Sequence, residues 1–444
     1  MVWKGRRDLR RLQSEDQLLD DRLKRLMRTN FQLRAEKDVI LRPVCFALTR
    51  ADIEENMSHL RGLTFRQPVR YRRMRRGELR EYILAKLGSQ YTPEEFQDYA
   101  KALKRIGLLP RETDLMKAVT DLFSEQVAAF YDPDTHELFT FEDLSLQNNF
   151  ERMILAHELV HALQDQNFDF KALALRSKNN DDAALAAQAL VEGDACYEMG
   201  VYLRRNYKAS QILSDLGLLF SQSTEKLFSA PVWLRDSLTF PYQEGQIFAA
   251  ILHAEGGNPA LDRAFKNPPL STEQVLHPEK YLSATPDVPR PVSIAIEAKP
   301  VWRKSHENVV GELGIRSLFS QTLGLARAEQ AAAGWGGDRY LVYETGHDQW
   351  VVVWKSAWDS PSDAREFFDA LEDHYHARYE TRTEEAFSRK RSKAERKPPV
   401  ADSVFFSIAN QKQNLIIDRD TVLYLDVPDA ATMQFLLSKL HRIN

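Results

Sequence analysis

Two histidines and a glutamate lie in one short segment with a spacing that suits metal chemistry. His157 and His161 are four residues apart, and Glu158 directly follows the first histidine. On an α-helix this spacing places both imidazoles on one face, one turn apart, where they can bind the same metal ion. Glu158 then lies close enough to deprotonate a water molecule but is poorly placed to bind the metal. The segment therefore predicts a hydrolytic metal site with Glu158 as general base.

A third metal ligand is predicted further along the chain. Glu192 lies 31 positions after His161 (192 − 161), in a segment whose alanines and leucines favour a second helix. Two histidines and one glutamate leave a tetrahedral zinc ion with one open position, which is the arrangement of catalytic sites. Asp194 and Glu198 in the same segment are alternative ligands. A solvated carboxylate is the alternative interpretation of Glu192.

These residues must be positioned by two helices. Apolar residues without Gly or Pro predict the first helix over 143–165, and the second should end near Tyr207. A polar loop between them ends in Asp181 and Asp182, either of which could cap the second helix. Gly193 is costly inside a helix, and it predicts close packing of the second helix against the first.

The motif HELVH followed by EGDA resembles the gluzincin zinc metallopeptidases, and it is most similar to the compact bacterial minigluzincins. The resemblance implies that His157, His161 and Glu192 bind Zn²⁺ and that Glu158 is the catalytic base. It also implies a zincin-like fold, mainly helical with a small sheet. An HExxH motif alone is moderately specific, and the Glu-Gly-x-Ala at this distance makes the match strong.

One position departs from the family's pattern. Many gluzincins carry an aspartate four residues after the glutamate ligand, where it orients a histidine. This chain has Cys196 there. The orienting role would then pass to Asp194, Asp165 or a backbone carbonyl, and the sequence does not choose among them.

A hairpin is predicted over residues 127–141, with a turn at Asp132-Pro133. In gluzincins the strand before the metal helix is an edge strand that binds an extended peptide, main chain to main chain. We assign this role to residues 137–141. An ordinary core hairpin is the alternative.

A peptidase of this type also needs a donor for the oxyanion that forms on the scissile carbonyl. Tyr242 is the first candidate, because Pro241 predicts a helix start there, after the ligand helix, and the resemblance implies a donor tyrosine at such a position in gluzincins. His253 is the second candidate, and a core tyrosine is the alternative interpretation of Tyr242. Further on, His277 follows a short helix that Ser271 or Thr272 should cap, and it is interpreted as a structural loop histidine.

Composition bounds the remaining possibilities. The 444-residue chain has 43% hydrophobic and 28% charged residues, which is typical of soluble globular proteins. Its net charge of −4 argues against a nucleic-acid partner, and no apolar run is long enough to predict a transmembrane segment. The first residues lack the apolar core of a signal peptide, so secretion or a periplasmic location would require that a signal segment had been removed. Two cysteines do not determine the compartment.

The predicted fold class is α+β, in three parts. Residues 1–110 form an N-terminal helical region that includes an amphipathic helix over 4–37. Residues 111–290 form the zincin-like peptidase domain. After a proline-rich linker at 283–300, residues 300–444 form a C-terminal α+β domain. Its predicted elements are a helix over 311–333, strands at 339–345 and 349–357, a helix over 361–379, strands at 403–408, 413–418 and 421–427, and a final helix from Asp429, with a charged exposed insertion at 380–399.

The sequence thus predicts a zinc-dependent metallopeptidase of the endopeptidase type, acting on peptide or protein substrates through a zinc-bound water that Glu158 activates. The main alternative is a catalytically silent zincin-fold scaffold whose C-terminal domain binds a partner. Hydrolysis of non-peptide amides or esters is a third possibility. The oligomeric state is not predicted.

Overall fold

The computed structural model describes residues 45–126, 129–142, 148–170, 173–175, 177–208, 225–296, 298–346, 349–380, 390–392, 402–408 and 411–439, with the single residues 22, 25, 144 and 146. Two sheets and many helices confirm the predicted α+β class. Most of the predicted amphipathic helix over 4–37, and most of the predicted insertion over 380–399, lie outside the described residues. Among the residues that are described, no helix is both long and apolar enough to cross a membrane.

The first 300 residues are mainly helical. Their helices are α1 (residues 45–61), α2 (Arg76–Gln90), α3 (Pro93–Ile106), α4 (Leu115–Gln126), α5 (Asn149–Asn167), α6 (Asp181–Asn206), α7 (Glu225–Ser229), α8 (Val232–Lys266), α9 (Thr272–Leu276) and α10 (Pro278–Leu282). Three strands, β1 (Arg70–Met74), β2 (Ala129–Asp132) and β3 (Glu137–Phe141), form a small sheet.

The two predicted site helices are present as α5 and α6. The side chain of Asn148 accepts a hydrogen bond from the main chain of Glu151 and so caps α5. Asn180, rather than Asp181 or Asp182, caps α6 by accepting from the main chain of Ala183, so the predicted cap was wrong by one residue. The two aspartates instead lie in the first turn, where a negative charge suits the helix dipole.

The predicted edge strand was also assigned to the wrong member of the hairpin. The strand order is β1–β3–β2, so Glu137–Phe141 is the central strand, with β1 parallel and β2 antiparallel to it. β1 contributes Arg70–Met74, a basic segment that carries no strand signal of its own. Consequently Ala129–Asp132 is the edge that faces α5, and its residues contact that helix.

Two helix predictions around α8 were wrong in detail. α8 begins at Val232, so Pro241 lies inside the helix and removes one main-chain hydrogen bond there, instead of starting a helix. Gly193 packs against α8 and not against α5: a Cβ atom on Gly193 would overlap the main-chain oxygen of Gly245. The pair of glycines lets α6 and α8 approach backbone to backbone.

The remainder of the chain is built on a seven-stranded antiparallel sheet in the order β4–β5–β6–β10–β9–β8–β7. Its strands are β4 (Arg303–Asn308), β5 (Trp335–Gly346), β6 (Gln349–Trp358), β7 (Lys390–Ser392), β8 (Asp402–Ile408), β9 (Gln411–Asp418) and β10 (Thr421–Val427), and its helices are α11 (Gly311–Leu323), α12 (Leu325–Ala332), α13 (Pro361–Glu380) and α14 (Ala430–Lys439). The single helix predicted over 311–333 is broken at Gly324, which has a φ of 80°. β4 was not predicted, and neither was β7, which lies inside the predicted insertion over 380–399.

One face of this sheet shares its core with the helical part of the chain. Trp335 and Phe367 belong to the same buried cluster as Phe96, Leu103 and Trp233. Burying these large side chains together stabilises the arrangement. The sheet therefore packs against α3 and α8, in the same helical part of the chain that contains α5 and α6.

Candidate metal centre

Three predicted ligands meet in space. Nε2 of His157 lies 3.1 Å from Nε2 of His161 and 3.1 Å from a carboxylate oxygen of Glu192. The same oxygen is 3.3 Å from Nε2 of His161. α5 contributes both rings and α6 contributes the carboxylate, so three potential metal-binding atoms form a nearly equilateral triangle.

The size of this triangle fits a zinc ion. A tetrahedral ion with bonds of about 2.0–2.1 Å requires neighbouring ligand atoms about 3.3 Å apart. The three edges of 3.1, 3.1 and 3.3 Å match that requirement. Two neutral imidazoles and one carboxylate are also the chemical set that binds catalytic zinc.

Gln164 determines which nitrogen of His161 faces the triangle. Its amide nitrogen donates to the main-chain oxygen of Val191 at 3.0 Å and to Asp194 at 2.8 Å. Because both partners are acceptors, the amide oxygen must be the atom 2.9 Å from Nδ1 of His161. That oxygen can only accept, so Nδ1 carries a proton, and in the neutral imidazole Nε2 is the nitrogen left free to bind a metal.

A buried ion pair holds Gln164 in turn. Asp194 also accepts from Nε of Arg61 at 2.9 Å, and both side chains are fully buried. Arg61 reaches a second carboxylate, Asp262 of α8, at 2.8 Å. A chain of contacts therefore runs from α1 through α6 to a metal-binding ring on α5. Gln164 and Arg61 carry no motif signal and were missed in the sequence.

The predicted candidates for orienting a histidine thus have different roles. Asp194 holds Gln164, which in turn orients His161, so Asp194 comes closest to the predicted role of orienting a histidine. Asp165 instead accepts from the hydroxyl of Tyr131 at 2.6 Å and lies 2.6 Å from His136. Cys196 is buried with its sulfur 3.9 Å from Nδ1 of His157. The thiol therefore occupies the position from which that ring can be oriented.

Glu158 lies beside the triangle on the side of the small sheet. Its carboxylate accepts a hydrogen bond from the main-chain nitrogen of Tyr131 in β2 at 2.7 Å. Burial raises the pKa of Glu158, although the charges of His157 and His161 act in the opposite direction. A carboxylate with a raised pKa is better suited to accept and return a proton near neutral pH.

The structure brings Tyr242 to the triangle but not His253. The ring of Tyr242 lies 6.2 Å from that of His157, and the negative charge of Glu192 raises the pKa of its hydroxyl. His253 instead lies 2.9 Å from the hydroxyl of Tyr197 and is absent from the described walls of the adjoining cavity.

The alternative ligands on α6 point elsewhere. Asp194 faces Arg61, as described above. Glu198 is buried away from the triangle, and burial raises its pKa to about 7.

His277 is paired with Glu312 at 2.9 Å, in agreement with a structural role. Ser271 caps α9 as predicted.

A cavity of about 640 Å³ opens onto the triangle. His157, Glu158 and Tyr242 line one part of it, and Ala129 of β2 lines the adjacent wall. Aromatic and aliphatic side chains form most of the remaining surface, which is typical of ligand sites.

A domain family of unknown function, DUF8575, matches residues 299–435. No curated protein matches the chain. A solved protein from Chloroflexus aurantiacus, described as "a putative hydrolase with a novel fold", is 20% identical, with 53% of this chain and 87% of that chain covered and a TM-score of 0.37. The extracellular domain of PknH from Mycobacterium tuberculosis is 15% identical over 26% of this chain and 68% of its own, with a TM-score of 0.17. Similarities this weak do not identify an activity.

Proposed function

We propose that the protein is a zinc-dependent peptidase with His157, His161 and Glu192 as metal ligands. The observation that carries the proposal is the triangle of ligand atoms with edges of 3.1, 3.1 and 3.3 Å. Gln164 supports it further, since it holds the proton of the neutral His161 ring on Nδ1 and so directs Nε2 to the metal. Zinc held there would supply a Lewis acid that polarises the scissile carbonyl and acidifies a water molecule.

The residues around the triangle can perform the proton transfers of amide hydrolysis. Glu158 takes the proton from the attacking water and then delivers it to the leaving nitrogen. Its hydrogen bond from Tyr131 holds the carboxylate in one orientation. The hydroxyl of Tyr242, whose ring lies 6.2 Å from that of His157, would donate to the oxyanion that develops on the carbonyl.

An extended peptide is the substrate that this site favours. The main-chain nitrogen of Tyr131 points away from β3, towards Glu158, at the edge of β2. Alternate residues of a strand present their main-chain groups to the same edge, so Ala129 presents its groups there too. Ala129 also lines the cavity. A peptide lying in the cavity could therefore pair with β2.

Metal analysis and a peptide-library digest test this proposal together. We expect about one zinc per chain and cleavage that a chelator abolishes and added zinc restores. Glu158→Gln should keep the zinc and lose cleavage by about 10²–10⁴-fold. Bound zinc with no cleavage of any peptide would instead favour a scaffold protein, and absence of zinc binding would refute the site.

A further inference from the structure

The cavity next to the triangle extends far along α6. The residues of α6 that line it recur at helical spacing and form one stripe: Asp181, Ala184, Leu185, Gln188, Cys196 and Met199. Glu192 lies within the span of that stripe. Since a helix rises 1.5 Å per residue, Asp181 lies about 16 Å along the axis from Glu192. The cavity is thus long enough to hold several residues of an extended chain.

Asp181 brings a negative charge to the far part of this cavity. Its walls there are apolar and aromatic, formed by Tyr91, Tyr99, Leu185 and Trp233. No lysine or arginine lines the described part of the cavity. Around Asp181, therefore, no lysine or arginine in these walls balances the carboxylate, whereas Glu158 lies beside His157.

The carboxylate of Asp181 is held in place but is not neutralised. It accepts a hydrogen bond from the hydroxyl of Tyr99 at 2.8 Å, and its own main-chain nitrogen donates to Asn308 at 2.8 Å. Within the described ranges it forms no ion pair. The nearby Lys178 is already paired with the exposed Glu95 at 3.0 Å.

Burial raises the pKa of Asp181 to about 6, which leaves the group charged at neutral pH. The half-buried carboxylate of Asp181 faces an apolar part of the cavity and lacks a compensating lysine or arginine there. A cationic side chain entering the cavity would supply that charge, and the rings of Tyr99 and Trp233 would contact its aliphatic stem, while Lys178 already lies over the ring of Tyr91.

We propose that Asp181, with Tyr91, Tyr99 and Trp233, forms a subsite for a basic side chain of the substrate. The proposal rests on the proposed peptidase function. An extended chain advances about 3.3 Å per residue, so the lysine or arginine would lie about three to five residues from the bond that is cut. The subsite would make the enzyme selective for basic peptides at a position remote from the metal.

The test compares peptides that differ only in charge at one position. Arginine, its uncharged analogue citrulline, and alanine are placed in turn along a quenched fluorescent peptide that the library digest shows to be cut. We expect one position at which kcat/KM for arginine exceeds that for citrulline by about tenfold or more, as one retained ion pair would give. With Asp181→Asn the arginine-to-citrulline ratio should fall to about one, because the amide retains the acceptor for Tyr99 but loses the charge.

Glu94→Gln is the matched control, because it removes a carboxylate that pairs with Arg303 and does not line the described part of the cavity. It should leave the ratio unchanged. Cleavage without any preference for arginine over citrulline by the wild-type chain would overturn the subsite and leave the peptidase proposal intact. A preference that survives Asp181→Asn would overturn it equally.

If no peptide is cut, the binding of peptides tests the Asp181 subsite independently of cleavage. The same labelled peptides are titrated with the full-length chain, and fluorescence anisotropy is measured. Arginine-dependent binding that Asp181→Asn abolishes would support the subsite although the peptidase proposal had failed. Equal binding of the arginine and citrulline peptides, or no binding of either, would refute it.

Discussion

Gln164 accepts a hydrogen bond from Nδ1 of His161 at 2.9 Å, and this contact directs the other ring nitrogen towards the predicted metal. The contact depends on groups from three helices, because Val191 and Asp194 fix the amide while Arg61 fixes Asp194. Metal affinity should therefore depend on residues that never touch the metal.

Gln164→Leu should weaken zinc binding without removing a ligand. Loss of the acceptor leaves the tautomer of His161 undetermined, so zinc affinity should fall by about 10–100-fold. Competition with a zinc chelator measures the change. Gln97→Leu, at an exposed position on α3, is the control and should bind zinc as tightly as the wild-type chain. Unaltered affinity of Gln164→Leu would refute the orienting role.

Arg61→Met should destabilise the protein strongly. Asp194 would be left buried without its cation, at a cost of about 3–5 kcal/mol in the free energy of unfolding. Urea denaturation measures this change. Arg72→Met removes a largely exposed partner of Glu137 and should have little effect. Equal losses in the two variants would contradict the buried-pair argument.

Gly193→Ala should disturb the packing of α6 on α8. The added methyl group would overlap the main chain of Gly245, which cannot move without separating the helices. We expect loss of several kcal/mol of stability, or failure to fold. Gly200→Ala, on the same helix, meets only the ends of flexible side chains and should be neutral or stabilising. Thermal unfolding of both variants separates the effect of the steric overlap on stability from the effect of helix propensity.

Tyr242→Phe should lower kcat by about 10²–10³-fold, because the phenyl ring cannot donate to the oxyanion. The zinc content should stay unchanged, because the ring keeps its contact with His157. Tyr197→Phe is the control, since its hydroxyl contacts His253 outside the described walls of the cavity. An unchanged kcat in Tyr242→Phe would show that a group other than Tyr242 donates a hydrogen bond to the oxyanion.

Asp182 should make stability depend on pH. Burial raises its pKa to about 7 from an ordinary value of 3.8, despite hydrogen bonds from Thr272. The folded state therefore binds this proton more tightly than the unfolded state does. Its contribution is most favourable below about pH 4, and it is lost progressively as the pH rises to about 7.

Asp182→Asn removes that titration and keeps an acceptor for Thr272. The free energy of unfolding of the variant, relative to the wild-type chain, should therefore increase between pH 4 and pH 7 and then level off. Urea denaturation at several pH values measures the difference. Parallel profiles for the two proteins would show that the carboxyl titrates normally.

The periodicity of residue types along the sequence was enough to predict most of the helices and strands, because their patterns arise between neighbouring residues. The spacing of His157 and His161 placed both rings on one face of α5, and the pattern of apolar residues located β5, β6, β8, β9 and β10 to within a few residues, but not β7. Helical turns and strand pleats repeat over short distances, so their signals are local.

Only the tertiary structure decided which elements meet. Nothing local distinguishes Glu137–Phe141 as a central strand. Its parallel partner Arg70–Met74 lies 67 positions earlier in the chain (137 − 70) and has the sequence of a basic patch. Gly193 signalled close packing, but its partner at Gly245 depends on how α8 crosses α6. Arg61 and Gln164 likewise gain their roles from contacts between distant helices, and pairing over such separations leaves no pattern in a single sequence.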